Sequence, residues 1–140
     1  MRQVSKELWG EVFDLVTEIL CSDAAGDTQR FAAAVAALRA IYARQEALGK
    51  PDPVLTEALA DFTDDAAEAA ALYRVAIAQC AAYADEPTHI KRICLASRLI
   101  ELGDLSQARS ELAHGRADAE RLNDAEYVNL ADELLAQLAI

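Results

Sequence analysis

Glu111 and His114 are the residues whose types and spacing come nearest to a reactive or metal-binding pair. Three positions apart on a helix, they set a carboxylate and an imidazole on one face, the spacing used by di-iron helical bundles. Such a centre needs two pairs of this kind and two further carboxylates, so this one alone predicts an exposed contact within a helix. Asp61, Asp64 and Asp65 cluster at a predicted helix start, where capping and the partial positive charge of the first turn account for them without catalysis. They lack the glycine and alternating oxygen ligands of a calcium loop. Cys21, Cys80 and Cys94 are far apart and form no Cys-x-x-Cys, which argues against both a zinc site and a disulfide framework. No phosphate-cradling glycine motif or nucleophile elbow occurs, and five glycines leave little material for one. The expectation is a protein that is not an enzyme, with no metal and no cofactor.

The elements that must position these residues are helical. The 140 residues include 31 alanines and 18 leucines against 19 β-branched residues, a mix that favours helix over strand and suits one domain with one core. Punctuation divides the chain into seven segments. Ser5 caps a first helix with Leu8, Val12, Leu15, Val16 and Ile19 at helical spacing; Trp9, Phe13 and Leu20 widen that stripe, and the helix is expected to end near Cys21. Asp27 or Thr28 opens the second, which Gly49 and Pro51 stop. Asp52 and Pro53 start the third, Asp65 with Glu68 the fourth, and Pro87 the fifth, which runs to Gly103. Asp104 with Gln107 caps the sixth, Asn123 ends it, and Asp124 starts the seventh. Connections this short predict antiparallel neighbours across residues 1–140, with no linker.

Charge narrows the partners. The chain carries 13 basic and 24 acidic residues, a net charge of −11. Residues 51–87 hold eight acids and one base, Arg74, whereas residues 88–122 are close to neutral. This distribution disfavours nucleic acid, whose affinity comes from Lys and Arg neutralising phosphates, and suits a basic partner or simple solubility. The longest uncharged stretch, Val75 to Ala84, is about half a membrane span, and Glu7 and Glu11 interrupt any apolar leader, so a cytoplasmic protein without membrane contact is expected. Three lysines against ten arginines, with the alanine load, are the composition of a GC-rich bacterial genome.

The fifth and sixth segments carry the most specific pattern. Leu95, Ala96, Leu99, Gly103, Ala108, Leu112 and Gly115 place small residues where two helices must approach closely, a glycine at the reversal, and leucines in the gaps. In spacing this hairpin resembles the tetratricopeptide repeat (TPR) family. A weaker copy lies 39 residues earlier, at Ala69, Tyr73 and Ala76, and a third begins 35 residues later, at Leu130, Ala131 and Leu134, and stops after one helix as a capping helix does. Arg92 stands where the family has an aromatic residue, Glu120 where it has a proline, and Asp64 where a turn glycine is expected. Residues 1–50, with Ala34 and Leu38 in matching places, form either a further divergent hairpin or an unrelated one. The resemblance covers residues 55–138 and implies an α-α superhelix; the alternative is a plain antiparallel bundle with alanine-rich interfaces.

In the repeat register, the resemblance puts Ile90, Ile93, Ser97, Ile100 and Glu101 on the concave face of the fifth helix, an apolar strip with a polar edge. The Lys and Asn clamp with which some members grip a C-terminal carboxylate is missing. The strip is either a groove for a segment of another protein or core covered by the first three helices. The resemblance implies an adaptor or scaffold that holds another protein through this groove and an acidic surface. Narrower versions are a bacterial immunity protein that neutralises a toxin and a chaperone for a secreted protein; a metal-binding or enzymatic bundle using Glu111 and His114 is the reading from another class.

Overall fold

The computed structural model describes residues 5–139, and among them the chain forms seven α-helices, one short 3-10 turn and no strand. The α-helices are α1 (Lys6–Ala24), α2 (Thr28–Ala47), α3 (Pro53–Asp61), α4 (Ala66–Gln79), α5 (His89–Glu101), α6 (Leu105–Arg121) and α7 (Ala125–Leu138), and the 3-10 turn, Cys80–Ala82, follows α4. The all-α expectation holds. Six of the seven helices begin as the local chemistry requires, with a side-chain oxygen of Ser5, Asp27, Asp52, Asp65, Asp104 or Asp124 accepting an orphan amide of the first turn. Thr88, before α5, accepts instead from Arg92 Nε at 3.2 Å and caps nothing.

Stops follow the same logic. Gly49 and Gly103 take left-handed backbone at φ 66° and 79°, and Asn123 does so at 58°, each just beyond a helix end. Two boundaries differ from expectation. The first helix continues past Cys21 to Ala24, because buried Ser22 returns its hydroxyl to Glu18 and Ile19 carbonyls and left-handed Gly26 makes the stop. The fifth begins at His89 instead of Pro87, after the 3-10 turn and an irregular passage.

Each helix packs mainly on its sequence neighbours, and α5 also meets α7. The single core expected from chain length is instead two apolar clusters. One joins Val12, Ile19, Leu38 and Ile41 of α1 and α2 to Leu55 and Leu59 of α3; the other runs from Ala60, Ala69 and Tyr73 through Ile93, Leu99, Ala108 and Leu112 to Leu134. Leu72 touches both. The first hairpin meets the rest of the chain chiefly through α3, and the α2·α3 contact is much sparser than α4·α5. With α2 as its main partner, α1 leaves Phe13 and Leu20 at 74% and 57% exposure, so these two residues do not widen the buried stripe.

Candidate interaction site along the fifth helix

Helix α5 is held on three sides. Toward α6 the fit is close enough to require glycine: a Cβ on Gly115 would lie 2.9 Å from Ile93 Cγ1 and 3.3 Å from the His89 carbonyl oxygen. Leu95, Ala96, Leu99, Ala108 and Leu112 are all buried in the same cluster. Toward α3, the ammonium of Lys91, 2% exposed, hydrogen-bonds Glu86 Oε1 at 3.2 Å and pairs with Glu57 Oε2 at 3.6 Å. Arg98 donates to the Thr63 and Asp64 carbonyls beyond α3, at 2.9 and 3.4 Å. Toward α7, His89 Nε2 meets Asp124 Oδ2 at 2.7 Å. Lys91, Arg92 and Arg98 thus tie α5 to its neighbours, and Arg109 and Arg116 tie α6 to α7, a use that net charge alone does not reveal.

The remaining side of α5 opens on a cleft of about 400 Å³. Tyr73 of α4 lines one wall, Leu130 and Leu134 of α7 the other, and Ile93, Cys94, Ser97, Arg98 and Glu101 come from α5. Of the five residues assigned to a concave strip, three therefore line this cleft, in different conditions. Ser97 and Glu101 are exposed, while Ile93 is fully buried and turned onto Gly115, so it is core as well as lining. Ile90 and Ile100 are half-buried and do not line the cleft, and Ile100 packs against the second apolar cluster. No residue of the first three helices lines the cleft. Sequence reasoning missed Tyr73, Cys94, Arg98, Leu130 and Leu134, because which helices flank α5 is a tertiary fact. The spacing of Cys94, Ser97, Arg98 and Glu101 on one helical face was the signal available.

Polar chemistry beside the cleft is structural. The Tyr73 hydroxyl donates to Asp61 Oδ1 at 2.5 Å, and burial together with that carboxylate pushes the phenol far above its ordinary range. Desolvation lifts the Glu57 carboxyl above its usual value against the pull of Lys91, and it lifts Asp61 likewise against the Tyr73 hydrogen bond. Burial, with help from Asp61 and Glu57, pushes the Cys94 thiol up to about 12, so it stays protonated at neutral pH and is a poor nucleophile.

The residues first considered for metal chemistry are dispersed. Glu111 reaches across to Arg92 Nη1 of α5 at 3.0 Å, which corrects the expected contact within one helix. His114, 56% exposed at its side chain, lies 3.6 Å from Asp118. Glu86 and His89 repeat the Glu-x-x-His spacing, which corrects the expectation that His89 has no partner at that spacing, but Pro87 separates Glu86 from α5, and the two turn to Lys91 and Asp124. Of the three aspartates expected at a helix start, Asp65 caps α4, whereas Asp61 is the last residue of α3 and accepts from Tyr73. Among the described residues no group of three His, Cys, Asp or Glu side chains is placed to hold a metal. Cys21 is exposed, Cys80 buried and Cys94 half-buried, and no disulfide joins them.

The fold defines an all-α protein of successive helices, each packed on the next, with an open cleft beside α5. Comparison with known protein families, curated proteins and solved structures finds no match to this chain.

Proposed function

We propose that this chain is a TPR-like helical repeat protein, an adaptor and not an enzyme, that holds a segment of another polypeptide in the cleft beside α5. The observation that carries the reading is the cleft itself. Its walls come from α4, α5 and α7, and its lining is about equally apolar, at Tyr73, Ile93, Cys94, Leu130 and Leu134, and polar, at Ser97, Arg98 and Glu101. An extended or helical segment would bury apolar side chains there and satisfy polar atoms at the edge. Support for the repeat register comes from α5 and α6, where the small residues Ala96, Ala108 and Gly115 are buried at the crossing and Gly103 turns the chain. Contact of α5 with both α6 and α7 fits stacked hairpins closed by a capping helix.

A cytoplasmic location belongs to this proposal; no helix of the described residues is long and apolar enough to cross a membrane. The narrower role of neutralising a toxin or escorting a secreted protein draws on the acidic composition, and an adjacent toxin or secretion gene would favour it.

Ser97 is exposed, so Ser97→Trp fills the cleft without disturbing the core. Recovery of bound protein from the native host should fall sharply with this variant and stay unchanged with Ala113→Trp on the exposed face of α6. Equal recovery with both would overturn the proposal.

A further inference from the structure

A second groove lies where the first hairpin parts from the rest of the chain, and Arg98 of α5 reaches its edge at the Thr63 and Asp64 carbonyls. It consists of two adjoining cavities of about 430 and 480 Å³ that share Phe31, Ala32 and Asp64. The sparse α2·α3 contact and the small side chains Ala32 and Ala36 leave this furrow between α2 and the start of α4. Across it runs the Arg39–Glu68 ion pair at 2.6 Å. Phe31, Val35 and Phe62 line it with apolar surface, all half-buried.

Its rim is acidic on both sides. Asp23 comes from the last turn of α1, Asp27 from the cap of α2, and Asp64, Asp65 and Glu68 from the start of α4, against the Arg39 guanidinium in the lining and that of Arg98, which donates to the Asp64 carbonyl at 3.4 Å. Three of these five carboxylates are engaged: Asp27 accepts from the Arg30 amide at 3.1 Å, Asp65 from the Glu68 amide at 2.8 Å, and Glu68 pairs with Arg39. The side chains of Asp23 and Asp64 make no hydrogen bond or ion pair with the described residues, and both line the first cavity. Because aspartates cap the starts of both α2 and α4, the groove does not favour an anion.

From this charge complementarity we infer that the groove between α2 and α4 takes a polypeptide segment of a partner protein bearing arginine or lysine next to apolar side chains. The cation sits between Asp23 and Asp64, and the apolar neighbours lie on Phe31, Val35 and Phe62. The inference rests on reading the chain as a protein-binding module, and it names the partner's chemistry at a surface distinct from the α5 cleft.

The test selects peptides from a displayed library of random dodecapeptides on the full chain. It then measures the affinity of each for wild type, Asp23→Asn/Asp64→Asn and Ser97→Trp. The double variant leaves both helix caps in place, and its circular dichroism should match wild type. The inference predicts a class of binders enriched in Arg or Lys beside apolar residues, losing about tenfold or more in affinity to the double variant and little to Ser97→Trp. A library that yields no such class, or binders indifferent to Asp23 and Asp64, overturns it. A library whose binders are sensitive only to Ser97→Trp overturns it while upholding the α5 cleft, whereas the predicted basic binders bear on this groove alone.

Discussion

The imidazole of His89 and the carboxylate of Asp124 meet at 2.7 Å, so that one aspartate closes the start of α5 onto α7 with one oxygen while its other caps α7 by accepting the Tyr127 amide at 3.4 Å. His89 is 4% exposed and stands edge-on to the Tyr127 ring, with ring centroids 6.0 Å apart. Facing a carboxylate, Nε2 carries the proton and donates. Loss of the carboxylate therefore removes a cap and leaves a buried donor without its acceptor.

Asp124→Ala should destabilise the protein by about 2–4 kcal/mol, the cap and the orphaned donor together. Asp124→Asn keeps an oxygen for the cap and loses the second, and should cost roughly half as much. Urea denaturation of the three proteins checks this; equal stability of Asn and wild type would mean the His89 contact contributes nothing.

Substitutions at the α5·α6 crossing probe the close approach. Ala108→Leu adds bulk at a site with 0% exposure and should cost about 1–3 kcal/mol. Gly115→Ala gains about 1 kcal/mol of helix propensity but drives its Cβ into Ile93, and the net should be a loss of about 1 kcal/mol. An unchanged or raised melting temperature in both would show that the crossing is looser than described.

Much of the fold is legible because its decisive signals are local. A Ser or Asp cap acts on an amide a few residues ahead, so helix starts can be read residue by residue, and Gly49, Gly103 and Asn123 mark ends for equally local reasons. What local reading misses is set by distant partners. Glu111 belongs to Arg92 on another helix, Ile93 packs on Gly115 as well as lining the cleft, and the division into two apolar clusters depends on how α2 lies against α3. The same holds for the cleft, whose α5 side was visible in the helical face of Ser97 and Glu101 and whose walls, Tyr73, Leu130 and Leu134, come from elsewhere in the chain.

Glu57 gives the pH dependence a definite sign. Its carboxyl, 18% exposed at the side chain, is lifted above its unfolded value chiefly by desolvation, with Lys91 opposing and Asp61 and Glu86 adding to the rise. The folded state therefore holds this proton more tightly than the unfolded chain, so its contribution is full at low pH and is lost as pH rises through the lifted value. Melting temperatures of wild type and Glu57→Gln between about pH 7 and about pH 4 should show wild type gaining on the variant upon acidification. A constant difference, or wild type losing ground, would refute the assignment.

Binding of a basic partner should weaken with added salt, mainly through slower association, because the acidic rim of the α2/α4 groove is exposed to screening. Stopped-flow association rates from about 50 to about 500 mM salt check this. Salt-independent rates would assign the negative charge to solubility alone.

Occupancy of the cleft beside α5 by another polypeptide can be read from a photo-crosslinking amino acid at position 97 in the native host, with one at the exposed position 113 as control. An occupied cleft should give a discrete crosslinked protein at position 97 that is absent at 113 and is lost when Leu130→Arg crowds the α7 wall while circular dichroism stays unchanged. The same background adducts at both positions would contradict it.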